Sequence, residues 1–117
     1  MATRVFVYGT LRRGEYNHHY LSSATYVGQT RTEPSFTLVD LGGYPGLLLE
    51  GSTPVVGELY DVDVTTLARL DLLEEAPEVY RRQWLHLNAE VSAMVYVIPK
   101  RFTHQAPVLV SGDWCDK

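Results

Sequence analysis

One glutamate lies on the apolar face of the segment that most strongly favours a helix. The stretch DVTTLARLDLLEEAPEVY covers residues 63–80. At about 100° per residue, Glu74 falls between Leu67 and Leu70, on the stripe that should face the core. A carboxylate buried without a partner acquires a raised pKa, and a general base working near neutral pH needs such a pKa. The pattern therefore indicates Glu74 as a candidate acid–base group.

Two plainer interpretations of Glu74 stay open at this point. The carboxylate could form a structural ion pair, for which Arg12 and Arg82 are the candidate partners. Alternatively, the helix could end early enough to leave the side chain in water, because helix boundaries are hard to predict. Either arrangement would remove the reason to assign chemistry to this residue.

A second candidate is the turn that follows the first predicted strand. The sequence VYGTL, residues 7–11, breaks an apolar strand with Gly9 and Thr10. Such a turn can expose backbone N–H groups that bind an anion, and Thr10 adds a hydroxyl donor. Gly9 would let a ligand approach the backbone closely. The alternative is an ordinary strand end with no ligand.

The elements that must position these residues are mostly strands. Asp63 or Thr65 can cap the predicted helix, and Pro77 stops it. The sequence GGYPG, residues 42–46, predicts a turn, and residues 15–24 predict a short helix or turn. The predicted strands are residues 5–8, 24–32, 36–41 and 54–63, with two more within residues 82–99. This content predicts an α+β fold, a small mixed β-barrel with flanking helices.

Length and composition restrict the class of protein. The 117 residues suit a single domain spanning residues 1–117. The formal net charge of −4 argues against a nucleic-acid partner and against attraction to an anionic membrane. No apolar run approaches the roughly 20 residues that a membrane span needs. Cys115 is the only cysteine, so a reducing compartment and a cytoplasmic location are expected.

Other chemistry has less support from the spacing of residues. The four histidines are His18, His19, His86 and His104, and no Cys or Asp spacing joins them into a ligand set, so no metal is expected. The frame of a phosphate-binding loop is missing from YGTLRRG. Tyr44 and Tyr80 are the tyrosines most expected to touch a ligand. The oligomeric state is left open.

Several motifs in this order resemble the γ-glutamyl cyclotransferase-like family. VYGTL resembles the family's strand-end signature, GGYPG its Pro/Gly-rich turn, and LDLLEEAPEVYRR, residues 70–82, its segment with a glutamate, a tyrosine and an arginine. SGDW, residues 111–114, resembles the terminus of small bacterial members. The resemblance extends over essentially the whole chain, to the small bacterial stand-alone members that resemble the γ-glutamylamine cyclotransferases.

The resemblance implies a fold, a reaction and a set of site residues. Family members form a small mixed β-barrel and release 5-oxoproline and a free amine or amino acid from a γ-glutamyl amide, with no cofactor. By position, Glu74 takes the place of the catalytic glutamate. The substrate-binding positions implied are Tyr8, Gly9, Thr10, Leu11, Tyr44, Tyr80 and Arg82. The partner implied is thus a small γ-glutamyl compound, and the amine attached to it is undetermined.

The sequence departs from the family pattern beside the expected base. Glu75 stands where glycine often follows the catalytic glutamate, and Thr10 stands where serine is common. An extra charge next to Glu74 could change its pKa or the choice of substrate. Two alternatives to an enzyme are therefore kept. One is a binding module of the same fold for a small metabolite, and the other is an interaction domain with a vestigial pocket.

Overall fold

Seven strands and one α-helix form the framework of residues 2–117, which the computed structural model describes. The strands are β1 (Thr3–Val7), β2 (Thr25–Arg31), β3 (Phe36–Asp40), β4 (Pro45–Thr53), β5 (Val56–Val62), β6 (Arg81–Asn88) and β7 (Val91–Val97). Helix α1 (Val64–Leu73) connects β5 to β6. Short 3₁₀ helices lie at His18–Leu21, Lys100–Phe102 and Trp114–Asp116.

Strand β1 is the centre of the larger sheet. The five-stranded sheet has the order β2-β5-β1-β7-β6, and β3 pairs with β4 in a separate two-stranded sheet. β1 runs antiparallel to β5 and parallel to β7, with Val5 opposite Met94. A strand flanked on both sides has its backbone groups paired along its length. The chain is therefore held firmly up to Val7, where the strand ends.

The two faces of β1 belong to two hydrophobic clusters. Val5 and Val7 pack in one cluster with Leu70 of α1, whereas Phe6 and Leu38 of β3 pack in the other. This alternation follows from the two-residue period of a strand, which sends successive side chains to opposite faces. Because both faces are covered from Val5 onward, residues 5–7 form a continuous apolar run.

The α+β class is confirmed, and closure into a barrel stays a prediction. The two edge strands approach each other at one end, where the Glu33 N–H donates to the Leu87 carbonyl at 2.8 Å. The Asn88 side-chain amide also donates to the Arg31 carbonyl at 2.9 Å. These contacts join β2 to β6 at one point without forming a ladder between them within residues 2–117.

One strand and one helix boundary differ from the sequence-based expectation, which contained no strand over residues 45–53. Strand β4 begins at Pro45, inside the segment expected to be only a turn, because the apolar run after it pairs with β3. Helix α1 ends at Leu73 and not near Pro77, because Glu75 has a positive φ of 53° that stops α-helical hydrogen bonding. Asp63 is the N-cap, accepting the Thr66 N–H at 2.7 Å.

Within residues 2–117, no helix has the length and apolar character needed to cross a membrane. The same part of the chain contains no group of three or more His, Cys, Asp or Glu side chains placed to hold a metal ion. Whether the protein uses a metal is not tested by this, so that expectation stays a prediction.

Candidate active site

A cavity of about 530 Å³ opens where β1 ends. Residues 6–11 form one wall, and residues 43–45, which lead into β4, form another. The end of α1 and the loop after it supply Glu74, Glu75 and Tyr80. The first strand, the turn before β4 and the helix terminus, which are far apart in sequence, thus converge on one space.

Glu74 is the C-cap residue of helix α1. Its backbone N–H donates to the Leu70 carbonyl at 2.9 Å, and its side chain is partly buried in the cavity wall. Burial raises the pKa of the Glu74 carboxyl to about 7. The partial negative charge at a helix C-terminus acts in the same direction. The carboxyl is therefore poised to gain or lose a proton near neutral pH.

The ion pairs considered for Glu74 do not form. Arg12 pairs with Glu58 and Asp113, and Arg82 pairs with Asp71. Within residues 2–117, no side chain or backbone group donates a hydrogen bond to the Glu74 carboxylate. The prediction that Glu74 pairs with Arg12 or Arg82 is therefore wrong. The helix does end early, as the second interpretation supposed, yet the side chain remains partly buried because it faces the cavity.

The turn after β1 presents unpaired backbone donors to the same cavity. Within residues 2–117, the N–H groups of Gly9, Thr10 and Leu11 donate to no protein acceptor, whereas the next N–H, that of Arg12, closes the turn on the Gly9 carbonyl at 3.0 Å. The Thr10 hydroxyl accepts a hydrogen bond from the Asn17 side-chain amide at 3.0 Å, which leaves its own hydrogen free to donate. The turn can therefore bind a carboxylate or an oxyanion.

Gly9 is required by packing against Pro45. A Cβ built on Gly9 would lie 2.5 Å from the Pro45 Cγ, closer than two carbon atoms can approach. The sequence suggested that Gly9 makes room for a ligand, but the structure assigns that space to the proline ring. The contact fixes the turn after β1 against the turn before β4.

Two tyrosines form walls of the cavity, and both already donate their hydroxyl hydrogens to backbone carbonyls. The Tyr8 hydroxyl donates to the Tyr96 carbonyl at 2.6 Å, and the Tyr80 hydroxyl donates to the Pro45 carbonyl at 2.6 Å. Burial raises the pKa of both phenols well above the ordinary value, so they stay neutral. They line the same cavity as Glu74, and their hydroxyl hydrogens are not available to a ligand.

The cavity brings together seven of the eight positions indicated by the sequence, and Arg82 is the exception. The Arg82 Nε lies 3.2 Å from the Asp71 Oδ1, on a shallow surface depression beside Pro77. The Tyr96 hydroxyl donates to the same oxygen at 2.6 Å. Arg82 therefore does not line the cavity, because β6 carries it to the outer side of the helix terminus.

Several lining residues were not singled out by the sequence. Asn17 holds the Thr10 hydroxyl, and its N–H donates to the Thr10 carbonyl at 2.8 Å. Tyr96 enters from β7. Asn17 has a local signal, because it follows the turn within one short loop, where Asn commonly bonds to nearby backbone. Tyr96 has no such signal, since only the parallel pairing of β1 with β7 places it there.

Comparisons with known proteins show similarity over nearly the whole chain. The family profile described as "Gamma-glutamyl cyclotransferase, AIG2-like" matches residues 5–116. A protein of Vibrio cholerae that is provisionally named a γ-glutamylcyclotransferase is 48% identical over 114 residues, which is 97% of this chain and 96% of that protein. The γ-L-glutamyl-butirosin B γ-glutamyl cyclotransferase of Niallia circulans is 53% identical over 72 residues, 61% of this chain and 45% of that protein.

A solved structure extends the similarity to the fold. The crystal structure of an AIG2-like protein from Mus musculus superposes with a TM-score of 0.81 at 33% identity, covering 96% of this chain and 88% of that one. The resemblance seen in the sequence motifs is thereby confirmed over nearly the whole chain. The chain belongs to the AIG2-like γ-glutamyl cyclotransferase family of enzymes.

Proposed function

We propose that the protein converts a γ-glutamyl amide into 5-oxoproline and a free amine, with Glu74 as the general acid and base. The observation that carries this proposal is a carboxyl group with a pKa of about 7 in the lining of a cavity. The same cavity is lined by a turn, residues 9–11, whose backbone N–H groups donate to no acceptor within residues 2–117. A base with a pKa near the working pH is effective in both of its protonation states. The turn supplies the donors that the developing negative charge requires.

The reaction requires two proton movements, and one carboxyl can perform both. The substrate's α-amine is an ammonium ion at neutral pH, so Glu74 first removes a proton and the neutral amine attacks the γ-carbonyl carbon. The original carbon–nitrogen bond then breaks as the departing nitrogen is protonated. The α-nitrogen begins with three hydrogens and the ring nitrogen ends with one. Two protons are thus passed to the departing nitrogen, which leaves as an ammonium ion.

The turn after β1 has a separate role in this mechanism. Its N–H groups at Gly9, Thr10 and Leu11 are fixed by the central strand before them and by the Pro45 contact. Donors already oriented stabilise the oxyanion of a tetrahedral intermediate without reorganising during the reaction. The same group of donors suits the α-carboxylate of the glutamyl unit. The Thr10 hydroxyl adds one more donor at the edge of this set.

Arg82 has a positioning role in the proposal. It pairs with Asp71, which accepts the Tyr96 hydroxyl, and the Tyr96 carbonyl accepts the Tyr8 hydroxyl. This chain of contacts connects the outer surface to one wall of the cavity. Arg82 would therefore affect the shape of the wall without touching the substrate.

The relatives support the γ-glutamyl part of the substrate. The name of the Niallia circulans protein assigns it a γ-glutamyl derivative of butirosin B, and the family description names the same acyl group. The glutamyl unit is the common element.

The test is to incubate the protein with a panel of γ-glutamyl amides and to measure 5-oxoproline. Glu74→Gln should lower kcat/KM by about 10²–10⁴-fold, because the glutamine side chain cannot accept a proton from the substrate and return it. Glu78→Gln is the control, since Glu78 is an exposed acidic neighbour outside the cavity lining. Equal turnover by wild type and Glu74→Gln would remove Glu74 from the mechanism. Ligand-induced thermal stabilisation with no product would favour a binding module instead.

A further inference from the structure

Glu75 occupies a conformation that glycine would adopt more easily. Its φ is 53°, in the left-handed region that L-residues with a Cβ seldom populate. Hydrogen bonds on both sides hold it there, from the Glu75 N–H to the Leu72 carbonyl at 3.2 Å and from the Val79 N–H to the Glu75 carbonyl at 2.9 Å. A backbone conformation that is unfavourable for the residue in it raises the question of what the side chain does.

The Glu75 side chain is exposed and lies on the lining of the cavity. No ion pair is formed to it by any residue in the range 2–117. The Glu75 carboxylate is therefore a hydrated negative charge at the mouth of the site, next to the proposed base. A ligand that projects a positive charge from the cavity would meet it there.

The remaining lining adds aromatic surface and no positive charge. No Lys, Arg or His is among the described residues that line the cavity. Tyr16 is 83% exposed and Tyr44 is 49% exposed, and both line the cavity. Exposed aromatic faces attract cations. A departing group with a carboxylate would find no counter-ion here, whereas an ammonium would find both a carboxylate and aromatic rings.

We infer, on the basis of the proposed function, that Glu75 selects γ-glutamyl amides whose departing amine carries a second positive charge. The glutamyl end would be held at the turn of residues 9–11, and the second ammonium would lie between Glu75 and the two exposed tyrosines. Glu75 is then a specificity-determining residue, and it explains why a residue other than glycine occupies a left-handed position.

The experiment compares three substrates with the same four-carbon departing chain. They are the mono-γ-glutamyl derivative of diaminobutane, which is cationic, γ-glutamyl butylamide, which is neutral, and γ-glutamyl aminobutyrate, which is anionic. The wild type should favour the cationic over the neutral compound by about fivefold in kcat/KM at low salt, and the preference should shrink as salt is added. The anionic compound should be the poorest substrate.

Variants of Glu75 and a neighbour complete the test. Glu75→Gln should bring the cationic-to-neutral ratio close to one, and Glu75→Lys should invert the order of the cationic and anionic compounds. Glu78→Gln should leave the ratio as in wild type, because Glu78 lies outside the lining. Thermal unfolding of each variant checks that it is folded.

The outcomes separate this inference from the function on which it rests. If the wild type forms 5-oxoproline from all three compounds with equal kcat/KM, or if Glu75→Gln keeps the wild-type ratio, the inference is wrong while the cyclotransferase proposal stands. If no γ-glutamyl compound is turned over, the proposed function fails and the inference fails with it.

Discussion

Two glutamates near the turn after β1 have opposite surroundings. Glu58 of β5 is only 5% exposed and accepts three hydrogen bonds, from the Arg12 Nε at 3.2 Å, the Arg13 N–H at 3.0 Å and the Tyr60 hydroxyl at 2.9 Å. Glu74 is partly buried and accepts none from residues 2–117. Both side chains are acidic and withdrawn from bulk water, yet only one has its charge neutralised by protein donors.

The difference teaches that burial alone does not define a catalytic carboxylate. A buried anion with a cationic partner and further donors is a structural anchor. A buried carboxyl without partners resists ionisation, and its pKa rises toward the pH at which the enzyme works. Glu58 thus holds the loop that follows the turn, through Arg12 and Arg13, while Glu74 faces the space in front of the turn. One side of the turn is anchored by an ion pair, and the other side faces the cavity.

The largest effect on stability should come from removing the anchored glutamate. Glu58→Ala removes one of the two anionic partners of the buried Arg12, together with the acceptor of the Arg13 N–H and the Tyr60 hydroxyl, and should lower the free energy of unfolding by about 3–5 kcal/mol. Chemical denaturation measures this. Glu50→Ala is the matched control, because the Glu50–Lys100 pair is exposed and should contribute little. Equal losses in the two variants would mean that Glu58 is not an anchor.

The unpaired glutamate should produce a stability difference that depends on pH. The pKa of Glu74 is about 7 in the folded protein, above its ordinary value of 4.5, so the folded state holds the proton more tightly. The resulting stabilisation is fully present below pH 4.5 and is lost as the pH rises through about 7. Relative to Glu74→Gln, the wild type should lose at most about 3 kcal/mol over this interval.

Denaturation curves of the wild type and of Glu74→Gln between pH 4 and pH 8 measure this difference in stability. Subtracting the Glu74→Gln curve removes the contribution of every other titrating group. A difference that is flat across the interval would show that Glu74 titrates normally, and the comparison with Glu58 would then lose its meaning.

A smaller effect should follow from disturbing the turn that lies between the two glutamates. Gly9→Ala places a Cβ against the Pro45 ring and should destabilise the protein by about 1–3 kcal/mol while lowering kcat. Gly43→Ala is the control, because Gly43 also lines the cavity but a Cβ there would meet nothing within 4 Å. Thermal unfolding and turnover of the two variants give the answer. Similar behaviour of both would contradict the packing role of Gly9.

The smallest effect concerns the residue after Glu74. Glu75→Gly should raise stability by about 0.5–1 kcal/mol, because relief of the left-handed conformation exceeds the greater unfolded-state entropy of glycine. Gln105→Gly is a matched control with a φ of 61° and a position away from the cavity, so it should stabilise similarly without changing substrate preference. A loss of stability in both would show that neither position is strained.

Much of the fold was predictable from local patterns. β1, β5 and the pair β6 and β7 follow from short apolar runs with turn residues between them, and Asp63 acts as the expected cap. β4 was not predicted, because the turn-forming residues before it indicated a loop and outweighed the short apolar run of residues 47–49. The end of α1 was misplaced because nothing in the sequence shows that Glu75 adopts a positive φ.

Part of the site was also predictable from local sequence patterns. Glu74 and the Tyr8–Leu11 turn stand out because each breaks a local rule, the one by placing a charge on an apolar stripe and the other by ending a buried strand early. Arg82 was assigned to the site by its position in a motif. The structure places it outside, because side chains alternate along β6 and its register with β7 decides which face each takes.

The sequence by itself determined the strand-rich class, the helix and the identity of the acidic group that breaks its pattern, since these depend on residues close together in the chain. Only the tertiary structure decided that Glu74 has no partner among residues 2–117, that Glu58 accepts three hydrogen bonds, and that Tyr96 joins the cavity wall. The physical reason is that pKa and pairing depend on groups brought near by strand order and register, which neighbouring residues do not encode.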